Sequence, residues 1–184
     1  MSLVAVAAAG PPRSLAVPGF QMLNADEVKR TAAAMGALSG LEAQRAVIRG
    51  EIAQPNVTTL LGMRLLDVGE GTARLAQSLE LCMVNPLGLV SGAVALALID
   101  MAAGCAAYTM LPAGVGYGTV ETKGNFVRPV SVAMGTLTCE ARVVAKGRTL
   151  ITAEAYVKHG DVVVAHGTST IMVMDAAAVG GKAQ

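Results

Sequence analysis

The order of apolar and polar positions divides the chain into stretches with different periods. In residues 24–35, "NADEVKRTAAAM", Asn24 opens a helical pattern and Glu27 follows three residues later, the spacing of a capping box. Residues 41–53, "LEAQRAVIRGEIA", predict a second short helix that Pro55 ends. Residues 61–81 then read as two strands around a glycine-containing turn at Val68–Gly71. Next comes "VSGAVALALIDMAAGCAAYTM", residues 90–110, a long helix that is apolar nearly all round and carries one charged side chain, Asp100. After it the period falls to two. In "GTVETKGNFVRP", Thr119, Glu121, Lys123 and Asn125 alternate with Val120, Thr122, Gly124 and Phe126. Three further alternating runs follow, at 135–146, 149–158 and 161–174, joined by the turns Lys146-Gly147-Arg148 and His159-Gly160-Asp161.

The predicted order is two strands, one apolar helix and four strands. A helix without a polar face must be wrapped by other elements, and an antiparallel sheet with one buried face supplies the wrapping. The expected architecture is α+β: six antiparallel strands curled around a central helix, the hotdog fold. The expected division is a flexible extension over 1–23, a helical segment over 24–56, the hotdog domain over 57–175 and a flexible tail over 176–184.

Composition narrows the function. The net charge of +1 leaves no basic excess for nucleic acid. With Trp absent and aromatics at 3%, the core must be aliphatic. Cys82, Cys105 and Cys139 lie far apart, and His159 and His166 are the only histidines, so no metal-ligand spacing arises and no metal is expected. Free thiols fit a reducing, cytoplasmic compartment. The N-terminus lacks the basic start of a signal peptide and is read as an extension. The long helix is not expected to cross a membrane, because a central Asp costs about 2.5–3.5 kcal/mol there and Ala and Gly offset little of it.

Asp100 is the candidate general base or nucleophile. A carboxylate buried in an apolar helix without a local partner is costly, and burial raises its basicity; the alternative is a structural bond to nearby backbone or hydroxyl. Gly92, where the helix begins, offers a free backbone N–H to a developing oxyanion and lets a substrate approach the backbone. "SG" is equally a common helix start. Asn85 precedes the helix in a Pro-containing loop, as an orienting group or as a turn residue.

These residues carry a resemblance. "NPLGLVSGAVALALID" is similar to the motif of hotdog-fold acyl-CoA thioesterases of the phenylacetate-degradation (PaaI) type, in the 4-hydroxybenzoyl-CoA thioesterase superfamily: Asn85, Gly88, Gly92 and Asp100 fall on its positions without a gap. Thr119 to Pro129, the "KGR" turn and "HGTSTIMV" extend the likeness over roughly Leu60 to Met174. Ser91 stands where the family has a His that holds the loop and the thioester; serine donates a hydrogen bond but reaches less far. The resemblance implies hydrolysis of an acyl-CoA with no cofactor beyond the CoA moiety of the substrate, Thr119 positioning water beside Asp100, and Asn85 and Gly92 from one subunit facing Asp100 and Thr119 from its mate. Arg128 and Arg148, with Lys146 and more weakly Lys123, are candidate partners for the CoA phosphates. His166 is read as structural.

Geometry supports the shared site independently. Gly92 and Asp100 are eight residues apart, about 12 Å along a helix rising about 1.5 Å per residue, whereas both must lie about 3 Å from one reacting centre. A homodimer, or a tetramer built from it, with antiparallel helices brings them together. Two other readings stay open: a hotdog domain that binds an acyl-CoA without hydrolysing it, and an enoyl-thioester hydratase, whose Asp/His pairing finds no Asp-x-x-x-x-His counterpart around Asp100.

Overall fold

The computed structural model describes residues 22–175. Helices α1 (Ala25–Gly36), α2 (Gly40–Ile48) and α3 (Asn56–Leu60) come first, then strands β1 (Met63–Gly69) and β2 (Thr72–Ser78), helix α4 (Gly92–Tyr108), and strands β3 (Val115–Phe126), β4 (Thr136–Lys146), β5 (Leu150–His159) and β6 (Val162–Asp175). The capping box of α1 is present: Asn24 Oδ1 accepts from the amides of Asp26 and Glu27, and the Glu27 carboxylate accepts from the Asn24 amide. Helix α2 stops sooner than its pattern suggests. Gly50, at φ 75°, lets its own N–H reach Val47 O while the Glu51 N–H reaches Ala46 O, a glycine-terminated cap that closes the helix before Pro55. The short α3 has no counterpart among the predicted elements. The predicted extension and tail fall almost wholly outside the described residues, apart from Met22 and Leu23; the latter's backbone pairs with the Asn56 carboxamide.

All strand pairings are antiparallel, in the order β1-β2-β4-β5-β6-β3. The sheet curls around α4, which packs on every strand. Alternation sets which side faces the helix: Leu137, Cys139 and Ala141 on β4, and Ile151, Ala153, Ala155 and Val157 on β5, are buried. Their partners on α4 are small. Ala102, Ala103, Ala106 and Ala107 are fully buried, so the strands lie close to the helix axis, while Leu98 and Ile99 fill the remaining space, each worth about 1.5–3 kcal/mol on burial. This is the six-stranded hotdog arrangement that the pattern predicts. No helix among the described residues is long and apolar enough to cross a membrane.

Strand β3 is the edge that positions the site. Its ladder with β6 shifts between Thr119 and Glu121, so Val120 forms a bulge. A bulge places one extra residue on its strand and changes the phase of the alternation. Tyr117 therefore packs against Gly104 before the bulge, while Thr122 reaches Asp100, Gly124 faces Leu96 and Ile99, and Phe126 covers Gly92 after it.

Candidate active site

Two places along α4 hold chemistry. The first is its N-terminus. Ser91 is the N-cap, with its Oγ accepting from the Ala93 amide at 3.3 Å and its carbonyl accepting from the Val94 amide at 3.0 Å. Among the first-turn donors this leaves the Gly92 N–H without an acceptor among the described residues, at the positive end of the helix dipole. The Phe126 ring lies so close that a Cβ on Gly92 would meet it at 3.1 Å. The Asn85 Oδ1 accepts from the amides of Leu87 (2.9 Å) and Leu89 (3.2 Å), closing the loop that leads into the helix. The turn role is thus real, and it fixes the amide: Asn85 Nδ2 is the group left to donate outward. Asn85, Ser91, Gly92 and Arg128 line one cavity of about 250 Å³, otherwise walled by apolar residues such as Leu89, Val130 and Val164.

The second place is the exposed face around Asp100. Asp100 Oδ1 accepts from Thr122 Oγ1 at 2.8 Å, and Thr122 Oγ1 lies 2.9 Å from Ser169 Oγ. Thr122 has one hydroxyl proton and gives it to the carboxylate, so Ser169, buried at 1% exposure, donates to Thr122. This relay fixes one carboxylate oxygen and leaves Oδ2 without a partner among the described residues. Asp100, Thr119 and Thr122 line an open groove of about 410 Å³ with Leu96, Ala97 and Val120.

Several expectations change. Asp100 is half-buried rather than buried, and it has a local partner. That partner is Thr122; Thr119 shares the groove but does not bond the carboxylate. The miss has a physical cause: alternation puts Thr122 on the side of Gly124 and Phe126 but says nothing of which side chain meets Asp100, and the bulge that brings Thr119 into the same groove leaves no mark in it. The glutamate, lysine and threonine residues around it all suit an edge strand. The proposed phosphate partners are also divided. Arg128 sits at the N-terminal cavity, whereas Lys146 donates to Met110 O at 2.7 Å, beyond the other end of α4, and Arg148 stands in the neighbouring turn. His166 stacks on Tyr156 with ring centroids 6.2 Å apart, which fits a structural part.

The thiol nearest to Asp100 is no rival nucleophile. Burial first, and the charge of Asp100 second, push the Cys105 thiol up to about 12. Burial likewise raises the Tyr117 hydroxyl, helped by the nearby Cys105 and Asp100. Among the described residues no cluster of His, Cys, Asp and Glu forms a metal-binding group.

A model of the thioesterase superfamily matches residues 87–170. Among solved structures, the chain is similar to a conserved protein from Pseudomonas aeruginosa at 28% identity, over 66% of this chain and 95% of that one, with a TM-score of 0.62. It is similar to a phenylacetic acid degradation-related protein from Ralstonia eutropha JMP134 at 25% identity, over 70% of this chain and 98% of that one, with a TM-score of 0.65. A thioesterase family protein from Silicibacter pomeroyi matches at 26% identity, over 72% and 98% of the respective chains, with a TM-score of 0.64. No curated protein matches the chain.

Proposed function

We propose, from the premise that this chain is a hotdog-fold, PaaI-like member of the thioesterase superfamily, that it hydrolyses an acyl-CoA thioester. The observation that carries the reading is the hydroxyl relay from Ser169 through Thr122 to Asp100, which holds one carboxylate oxygen and frees the other toward an open groove. Asp100 acts as general base on water or as nucleophile on the thioester carbon. The Gly92 N–H receives the developing oxyanion, with Ser91 and Asn85 Nδ2 as further donors in the same cavity. Thr119 borders the groove, where it orients water. Thr122 and Ser169 are positioning residues that act through Asp100.

The donors and the carboxylate sit at different heights along the β3 side of one helix, about 12 Å apart by helix rise. The complete site therefore pairs Gly92, Ser91 and Asn85 of one copy with Asp100 and Thr119 of a second copy in a homodimer. The surface such a copy would cover includes Val120 (61% exposed) and Phe126 (54% exposed) on the edge strand. An antiparallel pairing of helices also brings the Arg148 turn of one copy toward the Arg128 cavity of the other, where both meet the CoA phosphates, with Lys146 at the same turn.

The test is thiol release from a panel of acyl-CoAs, with binding measured in parallel. Hydrolysis of at least one member supports the reading. Binding without thiol release would replace it by a sensor of acyl-CoA, and hydration of an enoyl-CoA would replace it by a hydratase.

A further inference from the structure

A third cavity lies between the N-terminal helical segment and the domain. Its volume is about 70 Å³, and one side is formed by Met35, Gln44, Val47 and Thr58 from α1, α2 and α3. The other side is formed by Met101, Cys105 and Tyr108 of α4, with Tyr117 of β3. Gln44, Gln54 and Thr58 give hydrogen bonds to backbone carbonyls. Gln44 Nε2 donates to Cys105 O at 2.6 Å, Gln54 Nε2 donates to Met63 O at 2.8 Å, and Thr58 Oγ1 donates to Pro55 O at 2.6 Å. What remains facing the cavity is almost wholly apolar.

The cavity and the Asp100 groove share no lining residue, but their linings are neighbours along α4 and β3. Met101 follows Asp100 on the helix, and Cys105 and Tyr117 both lie near enough to feel the charge of Asp100. Tyr117 precedes Thr119 by two positions on the same helix-facing side of β3, and Thr119 lines the groove. An acyl substituent on a thioester carbon held at Asp100 would reach this space by way of the Met101 and Tyr117 side chains.

We infer that this cavity is the acyl pocket, that its occupant is the tail of a short unbranched acyl group, and that α1 and α2, outside the matched residues 87–170, set the permitted length. The inference rests on the proposed thioesterase reading. Size decides the occupant. A cavity of about 150 Å³ lined by aliphatic and aromatic side chains holds a benzene ring, and this one has about half that volume, enough for a few methylenes and too small for an aromatic ring. Chemistry agrees: a lining that is almost wholly apolar stabilises a hydrocarbon and nothing charged.

The experiment measures kcat/KM for straight-chain acyl-CoAs from acetyl to decanoyl, and for phenylacetyl-CoA, in the full chain and in Val47→Phe and Met35→Ala. One methylene in an apolar pocket is worth about 10- to 200-fold in discrimination. Val47→Phe should therefore lower the ratio of hexanoyl to acetyl turnover at least tenfold, and Met35→Ala should move the preferred length upward and improve phenylacetyl-CoA. Calorimetric binding of the same series to Asp100→Asn gives a length profile that does not depend on catalysis, and circular dichroism confirms that each variant is folded. Absence of turnover by the wild-type chain overturns the thioesterase reading, while the binding profile still tests the pocket. Length profiles unchanged by either folded variant, or a wild-type preference for phenylacetyl-CoA over every short chain, overturn the acyl-pocket inference whether or not the chain is a thioesterase.

Discussion

The two ends of the chemistry on α4 are unlike. At the N-terminus every feature is a donor: the Gly92 amide, the Ser91 hydroxyl, the Asn85 carboxamide and the Arg128 guanidinium share one cavity. Around Asp100 the candidate reacting group is an acceptor, and the hydroxyls of Thr122 and Ser169 serve the carboxylate. Thioester hydrolysis needs both, a donor where negative charge develops and a base or nucleophile where the bond forms. Neither region suffices by itself, and helix rise keeps them about 12 Å apart. On the proposed reading, that separation makes completeness of the site a property of two copies rather than of one fold.

The comparison breaks most sharply at the carboxylate. Asp100→Asn keeps the shape and the Thr122 bond, and turnover should fall about 10²–10⁴-fold with an unchanged circular dichroism spectrum. Near-wild-type turnover would remove Asp100 from the chemistry. A smaller effect is expected one step back. Thr122→Val deletes the bond that fixes Oδ1, and kcat should drop about tenfold with KM little changed, because one hydrogen bond to a charged group is worth about 1.5–3 kcal/mol. Thr122→Ser should restore most of it; failure of that rescue would point to packing instead of the hydroxyl. On the donor side, Arg128→Ala should raise KM for CoA esters several-fold and leave kcat nearly alone, as loss of uniform binding does. Short thioesters lacking the nucleotide should not register the change, and equal losses on both substrates would count against a phosphate role. Ser91→Ala should have the mildest effect, a few-fold loss of kcat/KM, since its Oγ already accepts from the Ala93 amide and the cap loss is about 1 kcal/mol of stability.

Much of this was legible in the chain itself. The α1 capping box, the apolar helix with its single carboxylate and the alternating strands each follow from spacing that local physics enforces. Asn85, Ser91, Gly92 and Arg128 converge because they flank one helix start and the strand end that covers it. Thr122 and Ser169 were hidden for a different reason: alternation gives Thr122 a face but no partner, Ser169 reaches it only through the β3–β6 ladder, and the bulge at Val120 brings Thr119 to the same groove. Alternation carries no record of such a phase change. The end of α2 departs from its pattern because Gly50, not Pro55, stops it, and a glycine after a basic residue is a quieter signal than a proline.

Complementation between two inactive variants tests the shared site most directly. Asn85→Ala and Asp100→Asn are each purified, mixed and co-refolded, and the heterodimer fraction is measured by mass. A mixed dimer holds one doubly damaged site and one intact site, and random pairing makes about half the dimers mixed, so about a quarter of wild-type activity should return. No recovery, with heterodimers present, would place the donors and the carboxylate in one chain's site and contradict the account.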